Sequence, residues 1–211
     1  MDHFDLIAAQ RRRLADTLSS LSEEQFAMRS LCDAWTIHDV VAHLVMPHET
    51  SIPRVVLAMA RARGNFDVAN QIMTARIARA TSADLVMRLR AHADGHFTPP
   101  GHDSLAPLTD VYVHSMDIAV PLGITPPVDE SVWPLVLTFL TSAKGRKGFV
   151  GRPLPDVSLV TTDRDVRLGN GPEVTGAGGA LALALLGRPA FLDTLSGPGA
   201  DTLRSWVRTN S

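Results

Sequence analysis

The chain has 211 residues, of which 45% are hydrophobic and 20% charged, so it can bury a sizeable core in one large or two small domains. Its net charge of −2 gives no electrostatic reason to expect nucleic acid or a membrane surface as partner. The single cysteine excludes an intrachain disulfide and a zinc site built from several cysteines. Because neither a signal-peptide pattern nor a long apolar run is present, we expect a cytoplasmic protein.

The first two thirds of the chain are predicted to be helical. Apolar residues recur at helical spacing over residues 3–20. Thr36 is expected to cap a second helix, which Pro47 and Pro53 should kink or divide. Further helices are predicted over residues 66–80, 83–95, 106–120 and 129–143. Long helices with short connections indicate an antiparallel bundle.

The composition changes after residue 147, which predicts a second domain. The predicted elements there are three short strands and two helices, over residues 157–160, 165–168, 173–175, 180–186 and 200–208. We therefore predict a mainly α protein, with a four-helix bundle in residues 1–147 and a small α+β domain in residues 148–211.

One predicted helix carries a carboxylate and an imidazole four residues apart. Asp110 and His114 lie on one face of it, so both can reach the same metal ion. His43 takes a core-facing position on the second helix, where a neutral imidazole needs a partner. Three protein ligands leave a fourth position open for water or substrate. Asp117, one turn beyond His114, can accept a hydrogen bond from its second ring nitrogen, and His48 can line the mouth of the site.

Structural roles compete with these interpretations. An ion pair or a hydrogen-bonded core histidine explains the same spacing without a metal. His92 and His96 form a rival pair of ligands but are predicted to be mainly surface residues. Cys32 is expected to be a small buried side chain rather than a nucleophile. His38 is predicted to be solvated or capping, and Arg11–Arg13 to be a solvated helix face.

Two stretches of sequence are more informative about function than the four-residue spacing of Asp110 and His114 alone. Residues 35–44 read Trp-Thr-Ile-His-Asp-Val-Val-Ala-His-Leu. Residues 108–123 contain a carboxylate, a histidine four residues later, an aspartate three after that and a Pro-Leu-Gly ending. Both resemble the motifs of the mycothiol-dependent maleylpyruvate isomerase family, within the DinB-like superfamily. The stretches 163–171, 174–176 and 186–188 resemble the family's small C-terminal domain, so the resemblance spans nearly the whole chain.

The resemblance implies a fold, a site and a chemistry. The fold is a DinB-like four-helix bundle followed by the small α+β domain. The metal ligands are His43, Asp110 and His114, and the ion is divalent, usually Zn²⁺. The partners are mycothiol as thiol cosubstrate and a small electrophilic substrate, and the activity is that of an isomerase or thiol transferase. Arg188 takes the place of a catalytic arginine by motif position.

The chain also departs from the family's pattern. Asp110 stands where the isomerase has a glutamate, and Val120 stands where many relatives have an arginine. A second hypothesis is therefore a metal- or small-ligand-binding protein without turnover. The ligand set also suits nickel, iron or manganese, and both a monomer and a homodimer fit the sequence.

Overall fold

The structure is a computed structural model that describes residues 2–32 and 35–209. The helices are α1 (His3–Leu18), α2 (Glu23–Phe26), α3 (Ile37–Glu49), α4 (Ile52–Arg61), α5 (Phe66–Ile77), α6 (Ser82–Ala91), α7 (Leu105–Ala119), α8 (Trp133–Thr141), α9 (Ala143–Gly145), α10 (Gly178–Leu185) and α11 (Ala200–Arg208). The strands are β1 (Ser158–Thr161), β2 (Arg167–Leu168) and β3 (Glu173–Gly176). The predicted class, mainly α with a small α+β part near the C-terminus, is confirmed.

Contacts divide the chain into two units. The first contains Met1–Phe97 and Asp117–Pro127, and the second contains Thr98–Met116 and Val128–Ser211. The predicted domain boundary after residue 147 stays a prediction. Every helix within residues 2–32 and 35–209 is too short or too polar to cross a bilayer.

In the first unit, α6 packs against α1 and α3, while α5 packs against α3 and α4. In α1, α3 and α6 the amphipathic spacing that predicts these helices turns their apolar faces inward. Side chains that are at most 1% exposed form this core: Ile7, Leu14, Leu18, Ile37, Val40, Leu85 and Leu89.

Prolines set the division of the second predicted helix. Helix α3 continues through Pro47 to Glu49, and α4 begins at Ile52 with Pro53 in its first turn. A proline suits the first turn because the amide hydrogen it lacks would have no helical acceptor there. Inside α3, however, Pro47 cannot donate the helical hydrogen bond to the carbonyl of His43. The predicted division is confirmed.

Arg11 corrects the prediction of a solvated helix face. It is only 5% exposed. Its Nη1 donates hydrogen bonds to the carbonyl oxygens of His92, Ala93 and Gly95, at 3.2, 3.1 and 2.9 Å. These carbonyls lie just past the end of α6, where helical donors run out and a positive charge suits the helix dipole. The guanidinium of Arg11 therefore joins α1 to the C-terminus of α6.

Replacing Arg11 by methionine should lower the free energy of unfolding by about 2–4 kcal/mol, because one buried and two part-buried carbonyls lose a charged donor. Arg12→Met is the matched control. The Arg12 side chain is 47% exposed and pairs with Asp94, so its loss should cost no more than about 1 kcal/mol. Urea unfolding of both variants measures the difference, and equal losses would contradict the capping role of Arg11.

Of the two roles predicted for His38, solvated or capping, the first is wrong because the side chain is half-buried and hydrogen-bonded. Its Nε2 lies 2.9 Å from the carbonyl oxygen of Ala78, and its Nδ1 lies 3.2 Å from Oγ of Ser82. The Ser82 hydroxyl in turn donates to a carboxylate oxygen of Glu23 at 2.8 Å. This chain of contacts ties α3 to the start of α6 and to α2, and it explains why a histidine occupies this face of α3.

The second unit contains the sheet, with strand order β2-β1-β3. Strand β1 pairs antiparallel with β2 and parallel with β3, so that Leu159 lies opposite both Leu168 and Val174. Helix α10 is apolar and buried along its whole length. It packs against α8, and a Cβ at Gly178 would lie 2.6 Å from Cβ of Trp133.

A turn after the sheet depends on a glycine. Thr175 and Ser196 exchange two backbone hydrogen bonds of 2.8 and 2.9 Å, and Gly197 follows with φ +96°. A Cβ there would lie 2.5 Å from the carbonyl oxygen of Glu173. The position needs glycine because of both its left-handed backbone and this close approach.

Candidate metal centre

His43 is placed by the start of α3. Thr36 and Asp39 form a capping box: the backbone N–H of Thr36 donates to Asp39 Oδ2 at 3.0 Å, and that of Asp39 donates to Thr36 Oγ1 at 3.2 Å. This fixes the first turn and puts His43 about two turns into the helix. His43 is half-buried, and its ring centroid lies 4.9 Å from that of Trp35.

Asp110 and His114 are placed by α7. The i,i+4 spacing brings His114 Nε2 to 3.5 Å from Asp110 Oδ1. His114 is 7% exposed and Asp110 is half-buried. Buried apolar residues surround them on the helix: Leu108, Val111, Val113, Met116 and Ile118. Such low exposure strengthens the attraction between an imidazole, a carboxylate and a cation.

The structure brings the three predicted ligands together. His43, Asp110 and His114 each offer one ligand atom, and these atoms all lie within 4.8 Å of one another. A zinc ion binds about 2.1 Å from each ligand atom, which sets the atoms of one tetrahedral site about 3.4 Å apart. The group is therefore a candidate site for one ion. Two imidazoles and one carboxylate are a donor set that suits zinc and related divalent ions.

A second group of ligand atoms shares His114. Atoms of Cys32, His114 and Asp117 also lie within 4.8 Å of one another. Asp117 is fully buried, and the Cys32 thiol donates to Asp117 Oδ2 at 3.3 Å. Asp117 thus lies close to His114, and its predicted orienting role stays a prediction. The sequence did not predict that Cys32 lies in this group, because 85 positions separate it from Asp117, its carboxylate partner.

His48 lies against the end of α6 and belongs to neither ligand group within the described part of the chain. Its ring stacks on that of His92 with centroids 5.2 Å apart, and a Cβ at Gly95 would lie 2.6 Å from it. Burial, followed by the charges of Arg11 and His92, lowers the pKa of His48 to about 4. The predicted place of His48 at the mouth of the site stays a prediction.

The pKa of His48 predicts a pH dependence of stability. Its folded value of about 4 lies below the ordinary value of 6.5, so between these pH values the unfolded chain binds the extra proton. This contribution to stability is present above pH 6.5 and is lost as the pH falls toward 4. His48→Phe should therefore lose less stability over that window than wild type does. Urea unfolding at several pH values measures it, and an unchanged pH dependence would contradict the assignment.

One arginine and two histidines remain of the residues singled out in the sequence. Arg188 is half-buried just after α10 and donates from Nη1 to the carbonyl oxygen of Leu186 at 3.0 Å. Its catalytic role stays a prediction. The rival pair, His92 and His96, forms no ligand group among residues 2–32 and 35–209. His92 contacts Glu49, while the exposed His96 stacks on Phe4.

Comparison with known proteins agrees with this architecture. Residues 7–106 match the family model described as the mycothiol maleylpyruvate isomerase N-terminal domain. The crystal structure of the mycothiol-dependent maleylpyruvate isomerase is similar, with a TM-score of 0.63 and 14% identity over 94% of this chain and 92% of that chain. A histidine-to-alanine mutant of that isomerase gives a TM-score of 0.62 with the same identity and coverage. No curated protein sequence matches the chain.

The mainly helical chain with its small three-stranded sheet therefore has the fold of that isomerase, and the predicted fold class is confirmed. The match over residues 7–106 supports the assignment of this part of the chain to the mycothiol maleylpyruvate isomerase N-terminal domain. The matched segment contains His43 and ends before Asp110 and His114. The evidence that these two residues are metal ligands is therefore their geometry alone.

Proposed function

We propose that this protein is a metal- and mycothiol-dependent isomerase of a small electrophilic acid, with maleylpyruvate as the first substrate to test. The observation that carries the proposal is the convergence of ligand atoms from His43, Asp110 and His114 within 4.8 Å. The two similar solved structures carry the name of a mycothiol-dependent maleylpyruvate isomerase, which supplies the choice of thiol and substrate. Thiol transfer is the related activity that the same site would support.

The three ligands would hold one divalent ion, with zinc as the first choice for two imidazoles and a carboxylate. When bound, such an ion lowers the pKa of a coordinated thiol, so that a thiolate nucleophile exists at neutral pH. Asp110 offers its negative charge, and a buried His114 offers a neutral nitrogen. Asp117 would accept a hydrogen bond from the second nitrogen of His114 and fix the direction in which the ring points.

The reaction we propose consumes no thiol. A thiolate adds to one carbon of the substrate's double bond, the resulting single bond rotates, and expulsion of the thiolate restores the double bond in the trans form. His48 and Arg188 stay candidates for contact with the substrate. A free thiol cosubstrate needs a reducing compartment, so we propose a cytoplasmic location.

The test is an isomerase assay on protein that has been stripped of metal and then reloaded with Zn²⁺. We expect conversion of maleylpyruvate to its trans isomer only when both the metal and mycothiol are present. His43→Ala should lose the metal ion held by His43, Asp110 and His114, and with it the activity. His96→Ala is the matched control and should keep both, because His96 lies outside both ligand groups.

Two outcomes would contradict the proposal. Conversion that is equally fast without mycothiol or in His43→Ala would exclude the proposed site. A zinc-loaded protein that is inactive with maleylpyruvate and with other unsaturated acids would instead indicate a binding protein without turnover.

A further inference from the structure

Cys32 is held against the end of α7 by its backbone. The backbone N–H of Leu31 donates to the carbonyl oxygen of Asp117 at 3.1 Å. The N–H of Cys32 itself donates to Oγ of Ser30 at 3.1 Å. These contacts bring the thiol to 3.3 Å from Asp117 Oδ2. Hydrogen bonds from two consecutive backbone N–H groups therefore hold the segment that carries the sulfur.

Asp117 is an unusual residue at this place because a carboxylate that is 0% exposed is costly unless its charge is compensated. His114 is 7% exposed and stands one turn before Asp117 on the same helix. Their ligand atoms and the Cys32 sulfur all lie within 4.8 Å of one another. A thiolate, a carboxylate and a neutral imidazole carry two negative charges, which one divalent cation would neutralise.

We propose that Cys32, His114 and Asp117 form a second metal position, adjoining the first and selective for a thiophilic divalent ion such as Zn²⁺. Thiolate sulfur and imidazole nitrogen favour zinc and disfavour Mg²⁺ and Ca²⁺, which prefer oxygen ligands. On binding, the Cys32 thiol releases its proton to solvent and the sulfur bonds to the ion. The ion takes the place of the hydrogen bond between His114 and Asp117. When the first position is also filled, the second ring nitrogen of His114 releases its proton too, because only a deprotonated nitrogen can be a ligand. Metal binding at this second position does not depend on whether the protein is an isomerase. The second group shares only His114 with the first group.

The test uses Co²⁺ as a spectroscopic probe in place of zinc, added to the metal-free full-length protein under reducing, oxygen-free conditions. A cobalt–thiolate bond gives a near-ultraviolet charge-transfer band that nitrogen and oxygen ligands do not give. Because Cys32 is the only cysteine in the chain, any such band identifies it as a ligand. We expect the band in wild type and in His43→Ala, and its loss in Cys32→Ser.

Cys32→Ser should still bind Co²⁺ at the first position, seen as visible ligand-field bands without the charge-transfer band. A second readout avoids variants altogether: Zn²⁺ should slow the reaction of the wild-type thiol with a disulfide reagent at least tenfold, and Mg²⁺ should not. Visible bands without a charge-transfer band in wild type would overturn the second position and leave the first intact. A band that is lost in His43→Ala would also overturn it, because the sulfur would then belong to the first metal.

Discussion

His114→Ala is expected to abolish tight metal binding, because His114 belongs to both groups of ligand atoms. Residues that only support a metal ligand typically contribute 10–100-fold to metal affinity, so the loss of a direct ligand should weaken binding by more than about 100-fold. The isomerase activity should fall with the bound metal. Elemental analysis after dialysis and zinc titration of the metal-free protein measure the effect.

Comparison with other variants makes this result specific. His43→Ala should remove only the first position and Cys32→Ser only the second, whereas His114→Ala should remove both. Because His114 is nearly buried, its truncation can also cost stability, so urea unfolding must show that the variant is folded at the assay temperature. A folded His114→Ala protein that keeps one zinc per chain would contradict the proposed centre.

Gly197→Ala should strongly destabilise the second unit. With φ +96°, an alanine there costs about 1–2 kcal/mol in backbone strain. Its Cβ would also lie 2.5 Å from the carbonyl oxygen of Glu173, which belongs to β3 and cannot rotate away. We expect a total loss of about 3–5 kcal/mol in the free energy of unfolding, within the range of the largest single-site effects.

Gly187→Ala is the matched control for this prediction. Gly187 has φ +82°, but no heavy atom lies within 4 Å of the place its Cβ would take. Only the backbone strain of about 1–2 kcal/mol should therefore remain. Urea unfolding separates the two terms, and equal losses in both variants would show that the contact with Glu173 contributes nothing.

Local sequence signals predicted most of the secondary structure. The residues that start α3 and α6, Thr36 and Thr81, act as caps through a hydroxyl that accepts a nearby backbone N–H, which depends only on neighbouring residues. The i,i+4 spacing of Asp110 and His114 was readable for the same reason, because the helix itself brings the two side chains together. Helix α2, only four residues long, was not predicted because so short a segment has no periodicity.

Contacts across long stretches of sequence could not be predicted in this way. Arg11 was expected in solvent because its three-arginine cluster looks like a polar helix face, yet its guanidinium caps a helix that ends about 80 positions later. The hydrogen-bond partners of His38 and Cys32 were not predicted for the same reason, since Ser82 and Asp117 come close to them only after the helices pack. Chain neighbours decide where helices begin, and packing decides which polar side chains end up buried.

Pro47 removes a backbone hydrogen bond next to His43, the candidate metal ligand on α3. Four residues after His43, the proline interrupts the ladder of backbone bonds at the very turn that carries this imidazole. The last turn of α3 is therefore held by fewer backbone bonds than the turns before it, and local opening there costs less free energy. Such a turn can adjust its pitch when an ion arrives without disturbing the capped start of the helix. A metal ion bound to His43 would stabilise this last turn, and amide hydrogen exchange near residue 49 would then be slower with metal than without it.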